Sequence, residues 1–371
     1  MQKNQINMKI VYVAPFVKER YKGGIMRIAE YLSEEKAFFH FKENNINIEF
    51  FNSTILKQKK NSEGKFSFQN IFQALYLLFN LSRRVLKKDF DAIHFNSSAK
   101  FPLFKDQIII FLVGFLTSKV VFFQIHFSGI DETFLDNSLF RKIQFCMLKR
   151  VHKIIVLSED FKSQLIDIGI PSNMIVVLYN FHNVNIDVLA NYNNSHDDLK
   201  LIYVGSISKR KGFHDLLFAL CKLNINYTLN VLGDFSCESI RNYCNSFIQE
   251  NELHVNFLGY IMGEEKNKII SAADVLVLPS YSEGFPMVIP EAMALACAII
   301  STKIAGIPEI VQEGLNGYLI KPGEIDELAR IITFFSNNRE LLNRFKGSSV
   351  ELSSNFTLEN YILKLSTIYI S

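Results

Sequence analysis

Short, near-continuous apolar runs alternate with stretches of helical spacing from one end of the chain to the other. In the first half the runs are Lys9–Ala14, Asn47–Phe51, Ala92–Asn96, Val120–Ile125, Lys153–Leu157 and Ile175–Leu178. Most lack the polar alternation of a half-buried strand, which is how strands covered on both faces of a parallel sheet read. Helical spacing between them, as in Ile71–Val85 and Leu139–Val151, completes strand–helix–strand units and predicts a doubly wound α/β domain. Polarity then rises through Asn183–Lys200, around Asn191-Tyr192-Asn193-Asn194-Ser195-His196-Asp197-Asp198, which reads as a linker. Alternation restarts at Leu199–Val204 and continues through Tyr227–Leu232, Val255–Leu258, Val275–Leu278, Ala298–Ser301 and Tyr318–Ile320. The tail, Phe356–Ile370, carries Leu358, Tyr361, Ile362, Leu365 and Ile368 at helical spacing. The expectation is two doubly wound α/β domains, residues 1–185 and 186–355, with a C-terminal helix, 356–371, packing back on the first.

Composition agrees with two packed domains. At 371 residues, 49% hydrophobic and 21% charged, the chain has enough apolar side chain to offset its ordering entropy, so disorder is excluded as the dominant state. Five cysteines, an odd number with no CxxC pair, predict reduced thiols and no zinc site. The opening MQKNQINMKIVYVA has too short an apolar run for a signal peptide, so the protein is expected in the cytoplasm. Gln107–Ile125 has the length of a membrane span, but Thr117-Ser118-Lys119 breaks its middle, and a central lysine costs roughly 2.5–3.5 kcal/mol on insertion. It reads instead as a buried helix, a turn and a buried strand.

Charge is unevenly divided. Residues 1–185 hold 25 Lys/Arg against 16 Asp/Glu, and residues 186–371 hold 15 against 21. The basic half, with Lys57-Gln58-Lys59-Lys60, Arg83-Arg84, Lys87-Lys88, Arg141-Lys142 and Lys149-Arg150, would suit an anionic partner such as a membrane surface. A merely solvated surface is the alternative. Phe38-Phe39-His40-Phe41 and Phe66–Phe72 lie near these clusters and would supply apolar anchors for reversible binding at the inner face of the cytoplasmic membrane. No nucleic-acid-binding motif accompanies the basic residues, so nucleic acid is not an expected partner.

Ligands of open α/β sheets sit at the carboxyl ends of strands, so strand-to-helix loops are where chemistry should lie. Gly23-Gly24 precedes a helix, where glycines let backbone N–H groups approach an anion. Val204-Gly205-Ser206-Ile207-Ser208-Lys209-Arg210-Lys211-Gly212 combines glycines and three cations in a plausible diphosphate cradle, and Leu232-Gly233-Asp234 is a third such loop. Pro279–Ala294 follows the strand Val275–Leu278 and puts Glu283 and Glu291 at one strand's end; Ala305-Gly306-Ile307-Pro308-Glu309-Ile310 follows the next.

The stretch Gly259–Pro322 resembles the sugar-nucleotide-binding half of the retaining family-4 (group 1) glycosyltransferases, which have the GT-B fold of two Rossmann-like domains facing across a cleft. Their E-x7-E motif is matched by Glu283 and Glu291, the following G-x-P-E by Gly306, Pro308 and Glu309, and N-G-x-L-x-x-P by Asn316, Gly317, Leu319 and Pro322. A looser likeness takes in Gly24, His126, Gly205 and Lys211-Gly212. The resemblance implies transfer of a sugar, with retention, from a UDP- or GDP-linked donor to an acceptor hydroxyl. Such enzymes mostly build bacterial surface polysaccharides, lipopolysaccharides and glycolipids, so a saccharide or lipid-linked acceptor is expected. It implies that Glu291 binds the donor ribose, Glu283 positions the sugar, and Phe285, Pro286, Met287 and Val288 present backbone donors. Lys211 would neutralise the departing diphosphate, Gly24 would offer it a backbone N–H, and His126 would face the sugar. Gly205 and Gly233, in their strand-end loops, are expected to bind the donor as well.

One departure stands out. Many members carry Arg after the first of these glycines, where this chain has Ser206; Arg210 could reach in from the same loop. No cofactor or metal is implied, since cations and helix ends can take the phosphate charge and no DxD stands at the carboxyl end of a strand. His126 and His94 could also be packed core residues. The competing readings are a nucleotide-sugar epimerase of the same fold, a phosphorylase, and a non-catalytic sugar-nucleotide-binding protein, the last supported by Ser206.

Overall fold

The computed structural model describes residues 8–16, 23–53, 76, 77, 79–81, 83, 84, 89–116, 119–185 and 198–371. Twelve apolar runs form its strands: β1 Met8–Ala14, β2 Ile46–Asn52, β3 Ala92–Ser97, β4 Val120–Ile125, β5 Lys153–Val156, β6 Ile175–Val177, β7 Leu199–Val204, β8 Tyr227–Leu232, β9 Val255–Gly259, β10 Val275–Leu278, β11 Ala298–Thr302 and β12 Gly317–Ile320. They make two six-stranded sheets, ordered β2-β1-β3-β4-β5-β6 and β12-β11-β10-β7-β8-β9. Every neighbouring pair is parallel. Helices cover the sheets, so β3, β10 and β11 are buried along their whole length. These are two Rossmann-like domains of the GT-B fold.

The chain divides into two compact units, residues 1–180 with 358–371, and residues 181–357. The first is therefore discontinuous in sequence. Its closing helix, Leu358–Ile370, buries Leu358, Tyr361, Ile362, Leu365 and Ile368. Tyr361 donates to Gln124 Oε1 at 3.3 Å, Tyr369 meets His94 Nδ1 at 2.6 Å, and Lys36 pairs with Glu359. Within the second unit the His182 backbone N–H donates to the Phe356 carbonyl at 2.8 Å, and its ring meets the Ser353 carbonyl at 3.1 Å.

Two expectations need correction. The helix from the suspected span runs over Phe101–Leu116, and only one face is buried, through Leu103, Ile109, Ile110 and Val113. Phe111 and Leu112, on the other face, are 39% and 37% exposed. Among the described residues no helix is long and apolar enough to cross a membrane. The aromatic cluster at Phe38–Phe41 is not an exposed anchor either, because its helix, Glu35–Glu43, packs on β2 and the closing helix. Phe41 is buried, Phe38 is half-buried against Phe50, and only Phe39 faces out. Lys57–Lys60, Phe66–Phe72, Lys87-Lys88, much of 71–85 and linker residues 186–197 lie outside the described residues. All five cysteines are free, with Cys244 and Cys297 buried.

Candidate active site

In the second sheet the strand order reverses between β7 and β10, which open neighbouring crossovers in opposite directions. At such a switch point the two following loops diverge and leave a crevice at the strands' carboxyl ends. The loop after β7 is Gly205–Gly212 and the loop after β10 begins at Pro279.

Gly212 brings them together. It has φ of +68°, and a Cβ there would fall 1.8 Å from the Pro279 carbonyl oxygen, so only glycine permits the approach. Gly233 does the same between the β8 and β7 loops, where a Cβ would lie 1.9 Å from the Gly205 carbonyl oxygen. Backbone bonds complete the contact: Tyr281 N–H donates to Arg210 O at 2.9 Å, and Ile207 N–H to Asp234 O at 2.9 Å.

This packing sets Lys211, in a 3-10 turn, against Glu283. The ammonium lies 2.5 Å from Glu283 Oε1, and Ser280 Oγ donates to the same oxygen at 2.8 Å. Both charged side chains are largely buried. Thr302, at the end of β11, donates to the Ser280 carbonyl at 2.6 Å, and Gly306 N–H to the Gly284 carbonyl at 3.2 Å, so the G-x-P-E loop braces the Glu283 loop. Arg210 is exposed, and its guanidinium donates to the Ser282 carbonyl at 3.0 Å. It thus clasps the same loop from outside. Ser206 is also exposed, and its carbonyl accepts from the buried Tyr203 hydroxyl at 2.9 Å. Burial, with Glu283 close by, holds the Tyr203 hydroxyl well above its ordinary pKa, so it remains a donor.

Glu291 lies in the Val288–Ala294 helix and is almost fully buried. Its Oε2 pairs with Lys266 Nζ at 2.7 Å, and Lys266 is itself only 4% exposed. Sequence reasoning missed Lys266 because Gly263–Ser271 reads as an ordinary amphipathic helix, in which a lysine belongs to the solvent face. The only available signal was the apolar Ile270 four residues on, which marks the buried side of that helix.

The expected row of backbone donors needs one correction. Pro286 has no N–H, and its carbonyl instead accepts from Ile289 N–H at 3.1 Å. Met287 and Val288 open the Val288–Ala294 helix, where first-turn amides have no intrahelical acceptor. Phe285 is buried against Phe356, with ring centroids 5.7 Å apart. The later motif is architectural. Asn316 Oδ1 accepts from Gln312 N–H at 2.7 Å, and a Cβ on Gly317 would fall 2.1 Å from the Ile299 carbonyl oxygen.

Gly24 and His126 belong to the first unit. Gly24 is the first residue of the Gly24–Leu32 helix, with open space where a Cβ would stand. His126 follows β4 and is partly buried, with Nε2 2.8 Å from Asn96 Oδ1. Asn96 uses its Nδ2 on the Val13 carbonyl, so Oδ1 is an acceptor, shared with the Tyr12 hydroxyl at 3.0 Å. His126 Nε2 must therefore carry the proton, leaving Nδ1 with an acceptor lone pair. That atom is enclosed and has no partner among the described residues. Burial lowers the ring's pKa to about 3, which keeps it neutral. His94 is wholly buried and likewise lowered to about 3, first by burial and then by the nearby His126. It is a packing residue beneath the closing helix. Among the described residues no group of three or more His, Cys, Asp or Glu could hold a metal ion.

Residues 186–349 match the family model described as Glycosyl transferases group 1. An uncharacterised glycosyltransferase of Methanocaldococcus jannaschii is 30% identical over 243 residues, covering 65% of this chain and 66% of that one. A protein in the cps region of Klebsiella pneumoniae is 24% identical over 93% of this chain and 96% of its own. Among solved structures, Anabaena HepE in complex with UDP superposes with a TM-score of 0.73 at 18% identity, covering 98% of this chain and all of that one. The loops that meet at the β7–β10 switch point lie wholly inside the matched segment, and by that match and these relatives the chain belongs to the group 1 glycosyltransferases.

Proposed function

We propose that the chain transfers a sugar, with retention at the anomeric carbon, from a nucleoside diphosphate donor to an acceptor hydroxyl. The Lys211–Glu283 contact carries the reading. When the bond from the anomeric carbon to the diphosphate oxygen breaks, negative charge grows on that oxygen and positive charge on the sugar. An ammonium held at a switch point by two backbone-locked loops is preorganised for the first. One of its three N–H donors serves Glu283, and two are left for phosphate oxygens. Glu283, fixed through Oε1, would accept from sugar hydroxyls through its second oxygen. Glu291 would accept from the ribose hydroxyls while Lys266 holds it charged and oriented, and the amides of Phe285, Met287 and Val288 would take sugar and phosphate oxygens.

Gly24 keeps the role that the resemblance implies, a backbone N–H for the diphosphate. His126 would face the sugar, as the resemblance implies, with its neutral ring held in place by Asn96. The reading needs no metal or cofactor, because Lys211 and backbone amides meet the phosphate charge. UDP is the favoured base carrier, supported by the UDP and UDP-glucose that the Anabaena neighbour binds. The acceptor is proposed to be a saccharide or lipid-linked saccharide of a bacterial surface polymer, in line with the cps-region relative.

Calorimetric titration with UDP and GDP, followed by a screen of UDP- and GDP-sugars for hydrolysis and transfer, tests this. Binding of one nucleotide that is weakened in Glu291→Gln, with turnover lost in Lys211→Ala, is the expected result. A chain that binds neither nucleotide, or that epimerises a donor sugar without acceptor, overturns it. Anomeric proton couplings in the product decide retention.

A further inference from the structure

A helix on the surface of a water-soluble domain ordinarily shows charge on its outer face. The Phe101–Leu116 helix does not. Its only charged residues are Lys105 and Asp106, both near its start, and Asp106 is buried, accepting from Ser97 Oγ at 2.6 Å. Beyond that first stretch the exposed positions among the described residues are Phe111, Leu112 and Gly114, with Ile108 half-buried. The Ser138–Leu148 helix packs beside it, with Gln107 Nε2 donating to the Gln144 carbonyl at 3.4 Å beneath the surface. Above that bond Phe104 and Phe140 meet edge to face, centroids 5.6 Å apart. This joins the apolar outer face of one helix to that of the other, where Leu139 is 64% exposed and Phe140 and Ile143 are exposed as well. The result is one continuous apolar strip on two adjacent helices.

The segment that carries it is cationic. Residues 98–153 hold eight Lys/Arg against four Asp/Glu. Three of the carboxylates already have cationic partners: Asp106 with Lys105 at 3.1 Å, Asp131 with Arg141 at 3.0 Å, and Asp136 with Lys100 at 3.7 Å. Lys142, Lys149 and Arg150 are exposed on or just beyond the Ser138–Leu148 helix, with no ion-pair partner among the described residues. Long basic side chains beside exposed Phe, Leu and Ile can lay their stems along the apolar strip and raise their charged heads to a layer of phosphates.

We propose that this strip, Phe104, Phe111, Leu112, Leu139, Phe140 and Ile143 with its flanking cations, docks the first unit onto an anionic lipid bilayer. The apolar residues would enter the headgroup–acyl boundary, and Lys142, Lys149 and Arg150 would meet lipid phosphates. An exposed apolar strip with unpaired cations at its border matches a bilayer surface, which offers apolar depth and negative charge in one layer. This relocates the membrane contact from the Phe38–Phe41 segment, whose rings are mostly packed. It does not depend on the donor reading, since it concerns neither nucleotide nor sugar.

Flotation of the full chain with phosphatidylcholine vesicles, with and without about one-third phosphatidylglycerol, at low and high salt, tests the proposal. Binding should need the anionic lipid and weaken with salt, because the attraction is screened over roughly 8–10 Å at 0.1–0.15 M. Leu139→Ser/Phe140→Ser/Ile143→Ser and, separately, Lys142→Gln/Lys149→Gln/Arg150→Gln should each lower the partition coefficient by about tenfold or more. Phe39→Ser, on another helix, should change nothing, and unaltered circular dichroism and thermal midpoint show that each variant is folded. The proposal is overturned if the parent chain does not bind, if it binds neutral vesicles equally well, or if both triple variants bind like the parent. It is also overturned if the serine variant breaks a dimer of a parent that ignores vesicles, since a second copy would then be the occupant.

Discussion

Lys266 holds its ammonium 2.7 Å from Oε2 of Glu291, and both side chains are almost wholly withdrawn from water. Such a pair stabilises little compared with apolar residues of the same size, but either partner left alone is a buried uncompensated charge. Lys266→Met should therefore destabilise the second unit by about 3–5 kcal/mol, while Lys266→Met/Glu291→Gln should recover part of that. Nucleotide affinity separates the roles. Glu291→Gln should lose about 1–3 kcal/mol of binding, because a carboxylate's charged hydrogen bonds to ribose hydroxyls become neutral ones. Urea unfolding and calorimetric titration read the two effects. A Glu291→Gln protein with unaltered nucleotide affinity would leave the ion pair purely architectural.

Lys211→Ala should lower kcat far more than it raises KM, with a loss on the order of a hundredfold or more. An interaction that strengthens as charge builds on the leaving oxygen acts on the transition state rather than on the bound donor. Lys211 also braces Glu283, so Glu283→Gln is the control. It keeps the shape and a hydrogen bond to the ammonium but removes the negative charge that draws on it. A raised KM with normal kcat in Lys211→Ala would reduce the lysine to a substrate clamp.

Most strands were legible because a parallel strand buried on both faces must be apolar throughout, whereas the edge strands β2 and β9 expose alternate residues. β4, β7, β8 and β10 run over the very residues that the pattern predicts, and the other strands differ at their ends by a residue or so. Glu283 and Lys211 were legible as loop residues at strand ends, but their contact was not, since 72 residues separate them and Gly212 alone makes the approach possible. Lys266 left no mark, because the sequence cannot say which way a lysine on a short amphipathic helix turns. Phe111 and Leu112 misled in the opposite sense. An unbroken apolar run reads as burial, whereas only the Leu103–Ile109–Ile110–Val113 side of that helix is covered. In the row Phe285–Val288 the proline carried its own warning, since a residue without an N–H cannot present one.

Gly212→Ala should disable the site from a distance. Left-handed backbone costs an alanine roughly 1–2 kcal/mol, and the added Cβ, 1.8 Å from the Pro279 carbonyl oxygen, would push the two loops apart. Loss of activity beyond the loss of stability is expected, with Lys211 and Glu283 no longer in contact. Gly24→Ala, where no atom stands within 4 Å of the new Cβ, should fold normally. Unfolding midpoints and turnover of both variants check this, and a fully active Gly212→Ala protein would mean that the loops tolerate separation.

Acid should weaken the first unit through two imidazoles held neutral, the buried His94 and the partly buried His126. His94 and His126 are held neutral by burial, each lowered from 6.5 to about 3. Between those values the unfolded chain binds a proton at each histidine that the folded chain does not, so stability falls as pH drops below about 6.5 and stops falling near 3. The full slope is about 1.4 kcal/mol per pH unit for each histidine, so lowering pH from 7.5 to 5.5 should remove roughly 3 kcal/mol in all. His94→Gln should flatten about half of that dependence. It also gives up the contact with Tyr369, so its stability at pH 7.5 falls while its slope with pH shrinks. Those two movements are separable: a lost hydrogen bond shifts the whole curve, whereas a lost titration changes its gradient. Urea unfolding followed by circular dichroism at several pH values measures both, and a His94→Gln curve parallel to that of the parent would show that the ring does not resist protonation.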